Sequence, residues 1–278
     1  MIETSHLSEV ATLLHAGFRR RTVNYWAKGL ENLARLTPPD GFPQFGYLLQ
    51  AGTRSVGVHL LICSLFQDDP NGAVRSNVSS WYVEPEFRLY GTLLLVRATK
   101  QPATYVNIDP QPATLPIIEA QGFRKCGEGV FAAVPLLAGA KTAPVRILSH
   151  RADWLSASIP ESDFRLLNDH QSFGCISLWC ETSSGGHALI FRRRWVRPGI
   201  PCAQTIYCRS LEHLEQVAKP VGRFLAARGM SMMLVSADRK LRGVPGRFFA
   251  DKLAIYCKGP HLPRMGDLSY TEAAVFGM

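Results

Sequence analysis

The chain has 278 residues, 46% of them hydrophobic and 19% charged, with a formal net charge of +9. That is apolar material for one large domain or two ordinary ones, and it excludes a disordered or low-complexity chain. The longest apolar runs, "VGVHLLICSLF" and "GVFAAVPLLAGA", fall short of the roughly 18 residues a membrane span needs, and the N-terminus lacks a basic-then-apolar signal pattern, so a cytoplasmic protein without a membrane span is expected.

Two amphipathic helices are predicted first. Leu7, Val10, Leu13, Leu14 and Phe18 form one stripe, and Val23, Trp26, Leu30 and Leu33 a second. After the break "LTPPDGFP", the strands "FGYLLQ" and "SVGVHLLICSLF" read as a hairpin across "AGTR". "NVSSWYV" is a third strand, followed by a Pro- and Gly-bearing turn and a helix from about Gly91 to Lys100. "TYVNI" is a fourth strand, "PATLPIIEAQ" a short helix ended by Gly122, and "FRKCGEGVFAAVPLL" supplies one or two closing strands.

The weakly patterned stretch at 136–145 suggests a boundary between domains at 1–137 and 146–278. Beyond it the pattern restarts. "GCISLWCE" and "HALIFRRRWV" flank the turn "TSSGG", and "QTIYC" follows as a third strand. A helix carries Leu211, Leu214, Val217, Val221, Phe224 and Leu225 on one face, with Ser210 as cap, Gly229 as stop and Pro220 as an expected kink. "MSMMLVS" and "KLAIYC" are late strands. Hairpin, strand, helix, strand thus occurs twice, a repeat of pattern with little residue identity.

Seven cysteines without a Cys-x-x-Cys pair read as small apolar side chains in a reducing compartment, and no metal site is expected. Charge is uneven. Residues 1–140 hold 12 Lys/Arg against 11 Asp/Glu, and residues 141–278 hold 19 against 11. In "FRRRWVRPG", alternating arginines read first as protection of a sheet edge and second as a patch that positions an anionic acceptor.

The turn after the third strand carries the functional signal. A strand feeding a Gly-bearing turn and a helix start can present backbone N–H groups to a phosphate. The string "YVEPEFRLYGT" (82–92) resembles motif A of the Gcn5-related N-acetyltransferases, and the element order over 1–137 and "ATLPIIEAQGF" (113–123) are similar to that family as well. The close resemblance covers about half the chain. It implies an α/β (α+β) fold with a mixed, mostly antiparallel central sheet flanked by helices, in two tandem copies, the second degenerate. It also implies an acyl-CoA-dependent N-acyltransferase, with acetyl-CoA or another acyl-CoA as co-substrate and a small-molecule or peptide amine as acceptor. The backbone of Trp81, Tyr82 and Val83 would hold the pantetheine arm. Arg88, Leu89, Tyr90, Gly91 and Thr92 would meet the diphosphate, Arg88 by charge and Gly91 by close backbone approach. Departures from the family pattern are Leu93 at a usual Gly or Ala, Leu89 at a frequent Gly, and Ile118 where the family often has an acidic Tyr.

Acyl transfer needs a group that takes the ammonium proton and donors for the oxyanion. Candidates at the ends of the third and fourth strands are Ser79, Asn107 and Asp109 as catalytic residues, with Asn77, Ser80 and Tyr105 beside them. Asn107 and Asp109 should share a face by strand alternation. His59 reads as a satisfied core histidine, and His187 and His213 have no partner evident from spacing. An aminoacyl-tRNA-dependent peptidyl transferase of the tandem type and a non-catalytic acyl-CoA-binding module are the alternatives. Nucleic acid is not a partner on the leading reading, and the sequence does not fix the oligomeric state.

Overall fold

The computed structural model describes all residues except 68, 70, 71, 140–143, 198 and 278, and only the backbone of 128, 197 and 251. The first half runs α1 (Leu7–Gly17), α2 (Val23–Ala34), β1 (Gly46–Ala51), β2 (Arg54–Leu65), β3 (Val74–Val83), α3 (Gly91–Ala98), β4 (Thr104–Ile108), α4 (Leu115–Ala120) and β5 (Arg124–Ala133). The second runs β6 (Arg146–Leu148), α5 (Arg151–Ser156), α6 (Glu161–Ser172), β7 (Ile176–Thr182), β8 (Gly185–Arg197), β9 (Ile200–Cys208), α7 (Leu211–Ala226), β10 (Met232–Ala237), β11 (Gly246–Lys258) and α8 (Glu272–Val275).

The helices begin where the sequence supplies caps. Thr22 accepts from the amide of Tyr25 at 3.1 Å at the head of α2, and Ser210 accepts from the amide of His213 at 3.2 Å at the head of α7. Each such cap contributes about 1 kcal/mol. Most of the expected stripes are buried, Val10, Leu13 and Leu14 on α1 and Trp26, Leu30 and Leu33 on α2, while Leu7 and Phe18 are half-buried and Val23 is exposed. α7 runs from Leu211 to Ala226 with Pro220 inside it. The segment expected to give one or two closing strands gives one, β5, followed by a 3-10 helix at Pro135–Leu137. α6 was not legible, because its inward face mixes Leu166 and Leu167 with buried Asp163 and His170.

Two compact units emerge, each discontinuous in sequence. The first comprises Met1–Cys126, Ile255–Leu262 and Tyr270–Phe276, and the second Gly127–Ala254, Pro263–Ser269 and Gly277–Met278. Residues 127–137 therefore group with the second unit, and two C-terminal segments with the first. In the first unit the strand order is β1-β2-β3-β4 and then the end of β11, where Ile255 to Lys258 pair antiparallel with Ile108 to Tyr105. In the second the order is the start of β11, then β5-β10-β9-β8-β7-β6. Both units share one plan. An antiparallel hairpin leads to a third strand, which a crossover helix joins to a parallel fourth, β3–α3–β4 in one and β9–α7–β10 in the other. The mixed, mostly antiparallel α/β fold expected from the sequence is the observed one.

The reading of all seven cysteines as isolated apolar side chains needs correction. Cys126 and Cys257, on β5 and β11, are joined by a disulfide with Cα atoms 6.1 Å apart, while the other five are buried thiols outside any disulfide. Two cysteines 131 residues apart give no sequence signal of pairing when the topology that makes them neighbours is unknown.

Candidate functional site

β3 and β4 pair in parallel over only three positions, Arg75 with Thr104, Ser76 with Tyr105 and Asn77 with Val106. Beyond them β3 continues for six residues, Val78 to Val83, with no register to β4. The Ser80 backbone in that stretch is bonded to the Glu272 carboxylate, and the rest of its β4-facing edge has no strand neighbour, the arrangement an extended ligand can complete as an added strand.

A β-bulge lies inside this slot. Leu60 of β2 faces Ser79 and His59 faces Trp81, so Ser80 is the extra residue, with φ of +20°. A bulge reverses the alternation of side chains. Asn77 and Ser79 before it and Tyr82 after it thus share one face, where Tyr82 packs against Gly17 of α1. Trp81 and Val83 take the other face, against α3, and a Cβ on Gly91 would lie 3.1 Å from the Trp81 ring.

The C-terminal segment fills in the first of these faces. Glu272, at the start of α8, accepts a hydrogen bond from Ser79 Oγ at 2.5 Å, and its own amide donates to Asn77 Oδ1 at 2.8 Å. Asn77 Nδ2 donates to the Val106 carbonyl at 2.9 Å, the last paired position of β4. Asn77 is thereby tied to both strands' point of divergence and to the residue that projects into it. α8 is anchored on α2, where Asn32 Nδ2 donates to the Val275 carbonyl at 2.9 Å and Phe276 packs on Gly29 and Trp26.

The electrostatics of Glu272 are unusual. Desolvation pushes its carboxyl up to about 7, helped by the nearby charge of Asp109 and opposed by bonds from the Ser79 hydroxyl and the Ser80 backbone. Among the described residues four non-glycines have positive φ, and three of them surround this place: Ser80 (+20°), Asp109 (+50°) and Tyr270 (+49°). Backbone strain of this kind persists where the surroundings enforce it, and it concentrates at functional sites.

The sequence-derived candidates separate under this geometry. Ser79 bonds Glu272, and Asp109 is near enough for its charge to raise the Glu272 pKa. Asp109 lies beyond the end of β4, so the strand alternation expected to pair it with Asn107 does not reach it. Asn107 is partly exposed and pairs across to Tyr256 of β11. Glu272 itself escaped sequence reasoning, because it sits 193 residues from Ser79 in a four-residue helix with no motif. His59 is buried and stacks on Trp81 at 5.6 Å, but its Nδ1 has no partner, so it is a core histidine without being a satisfied one. Burial holds its pKa down to about 3 and keeps it neutral.

The segment after β3 is a 3-10 helix, Pro85–Tyr90, that runs straight into α3. The amide of Phe87 donates to the Glu84 carbonyl at 2.9 Å and that of Gly91 to the Arg88 carbonyl. Gly91 has helical φ and ψ of −57° and −42°, and its lack of a Cβ serves the contact with Trp81. Arg88, Leu89, Tyr90 and Thr92 are exposed.

In the second unit the matching place is closed. β9 pairs with β10 over Cys202, Ala203 and Gln204 and then diverges. Its continuation is paired by the chain itself. Leu268 N donates to the Ile206 carbonyl at 2.7 Å, Cys208 N donates to the Gly266 carbonyl at 3.0 Å, and Tyr207 bridges Asp267 antiparallel. His187 and His213, which spacing left without partners, stack at 3.7 Å in this unit, and burial holds His187 down to about 4.

Among the described residues no group of three or more His, Cys, Asp or Glu could hold a metal ion, and no helix is long and apolar enough to cross a membrane. No protein-family model matches the chain, and no curated protein does. Solved structures do. A GCN5-related N-acetyltransferase from Anabaena variabilis superposes with a TM-score of 0.56 at 10% identity, over 92% of this chain and 71% of that one. Another from Kribbella flavida gives 0.52 at 13% identity, over 92% and 69%. Eis1 from Mycobacterium abscessus gives 0.51 at 12% identity, over 96% and 73%. At such identities the likeness concerns the backbone alone, and that backbone has the fold of the GCN5-related N-acetyltransferases.

Proposed function

We propose that the chain is an N-acyltransferase that moves an acyl group from a phosphopantetheine thioester, acyl-CoA being the expected form, to an amine. The observation that carries this reading is the slot between β3 and β4 with a carboxylate of near-neutral pKa, Glu272, at its bulge. The unpaired edge of residues 78–83 would receive the pantetheine arm as a neighbouring strand would. On this reading the thioester would lie beside Ser80, where backbone amides after the bulge could face the oxyanion.

Glu272 would act as general base. A carboxylate whose conjugate acid titrates near 7 can take a proton from an ammonium at neutral pH while remaining ionised in a useful fraction of molecules. The freed amine attacks the thioester carbonyl, the C–N bond forms and the C–S bond breaks. The thiolate takes the second proton lost by nitrogen, and the proton held by Glu272 leaves to solvent. Ser79 and Asn77 are positioning residues in this scheme, holding the carboxylate and the helix that bears it. A carboxylate so placed favours turnover over the purely binding alternative.

The shared plan of the two units supports reading the second half, 146–278, as a degenerate copy. Its slot is filled by Gly266–Leu268, which leaves donor binding to the first unit. The test is release of free CoA thiol from acetyl-CoA across a panel of amines, followed as a function of pH. Turnover that rises through about pH 7 in the wild type and loses that limb in Glu272→Gln supports the reading. Turnover with the same pH profile in both removes Glu272 as the base.

A further inference from the structure

The first unit offers the arm of its donor a slot and offers the donor's far end an unusual surface. A diphosphate needs free amides, and along the segment where it would rest the amides of Phe87 and Gly91 are already bonded to the Glu84 and Arg88 carbonyls. Outward it presents hydrocarbon. Leu89 is 93% exposed and Leu93 59%, with Val96 following on the same side at helical spacing and Tyr90 beside them. Exposed apolar residues gathered on one short helix are a contact surface more often than a nucleotide seat.

The flanks of this stripe carry one sign of charge. From Arg88 to Lys100 the sequence "RLYGTLLLVRATK" has three cations and no carboxylate, and Arg88, Arg97 and Lys100 are all exposed. The carboxylates just upstream, Glu84 and Glu86, are both held by Arg54, at 2.6 and 3.8 Å. A leucine stripe edged by uncompensated cations complements a small protein with an acidic face and a few apolar residues.

We propose that the stripe Leu89–Leu93–Val96, with Arg88, Arg97 and Lys100, is the docking surface for an acidic carrier protein that bears the acyl group on a phosphopantetheine arm. This rests on the acyltransfer reading above and names the donor within it. The carrier takes the place of the nucleotide end of CoA, its arm enters the slot past Val83, and Arg88 sits where the single phosphate of the arm leaves the carrier. The chemistry is unchanged. The C–S bond of the carrier-bound thioester breaks, the C–N bond to the amine forms, and the carrier is released with its thiol.

The test uses the full chain and four probes: an acidic acyl carrier protein in its holo form, the same protein without its arm, CoA, and vesicles rich in anionic lipid. The wild type and the doubly substituted Leu89→Asp, Leu93→Asp protein are compared by titration calorimetry or interferometry, with circular dichroism to establish that the variant is folded. The expected result is binding of holo carrier at least 10-fold tighter than CoA or arm-free carrier, weakened at least 10-fold by the double substitution. CoA binding tighter than holo carrier, with a thiol-release assay still positive, overturns the carrier and leaves the acyltransferase standing. Arm-free carrier binding as tightly as holo carrier overturns it as well. Leucine-dependent binding to the vesicles alone would assign the surface to a membrane and sink the proposal. No binding of any thiol-bearing probe and no thiol release would remove both readings.

Discussion

The two units solve the same geometrical problem in opposite ways. In each, a third strand pairs with a parallel fourth over three positions and then departs from it, leaving backbone groups that need partners. The second unit supplies the partner from its own chain. Gly266 to Leu268 lie along β9, and Gly266 comes so close to Cys208 that a Cβ there would lie 2.3 Å from its sulfur. The first unit leaves the edge of β3 beyond Ser80 without a strand neighbour and places beside it a carboxylate bonded by the Ser79 hydroxyl and the Ser80 backbone, while Asn77 accepts from the Glu272 amide. On the reading proposed above, the first unit's slot would accept what fills the second unit's, an extended chain with alternating donors and acceptors. Where a protein leaves such an edge unsatisfied and strains the backbone around it, binding is the economical explanation.

The largest effect that would sharpen this contrast comes from Glu272→Gln. It keeps the shape and removes the base, and kcat should fall by about 10²–10³-fold with loss of the pH limb near 7. The same variant has a stability signature of known sign. Its carboxyl is raised above the usual range, so stability from the neutral form is fully present below about pH 4.5 and is lost as pH rises through about 7. Glu272→Gln should flatten that decline, which amounts to at most about 3 kcal/mol at 1.36 kcal/mol per unit. Chemical denaturation at pH 4.5 and 8 checks it.

Asn77→Ala comes next. It leaves the Val106 carbonyl and the Glu272 amide without their partner in a buried setting and should cost about 1–3 kcal/mol in thermal or urea denaturation. Gly29→Ala acts on the same segment from α2. A Cβ there would lie 1.9 Å from the Phe276 ring, so α8 must shift, at a cost of about 1–3 kcal/mol and with lowered turnover. Ser79→Ala removes a bond that holds the Glu272 pKa down, so the pH limb should move upward by less than about one unit. Smallest of all, His213→Ala in the second unit should change turnover less than about twofold. A large effect there would break the contrast between an open and a closed unit.

Much of the architecture was legible because it is written in local pattern. The stripes of α1 and α2, the hairpin across 51–54, the cap at Ser210 and the strands around the slot follow from periodicity and turn chemistry that act over a few residues. Ser79 was readable as a polar residue near the end of a strand, and the structure bonds its hydroxyl to Glu272. The remainder depends on contacts between distant segments. Glu272 reaches Ser79 only because the chain returns after 193 residues, and Cys126 reaches Cys257 after 131. The turn after β3, whose string resembles a phosphate loop, forms a 3-10 helix that runs into α3, with the amides of Phe87 and Gly91 bonded to the Glu84 and Arg88 carbonyls.

The open edge of β3 is the centre of this account, and amide hydrogen exchange reads it directly. Exchange at residues 79–83 and 205–208 should be followed with and without a non-hydrolysable acyl-pantetheine analogue. The account predicts new protection at 79–83 and no change at 205–208, where the chain already pairs with itself. Unchanged exchange at 79–83 under saturating analogue, or protection confined to 205–208, would contradict it.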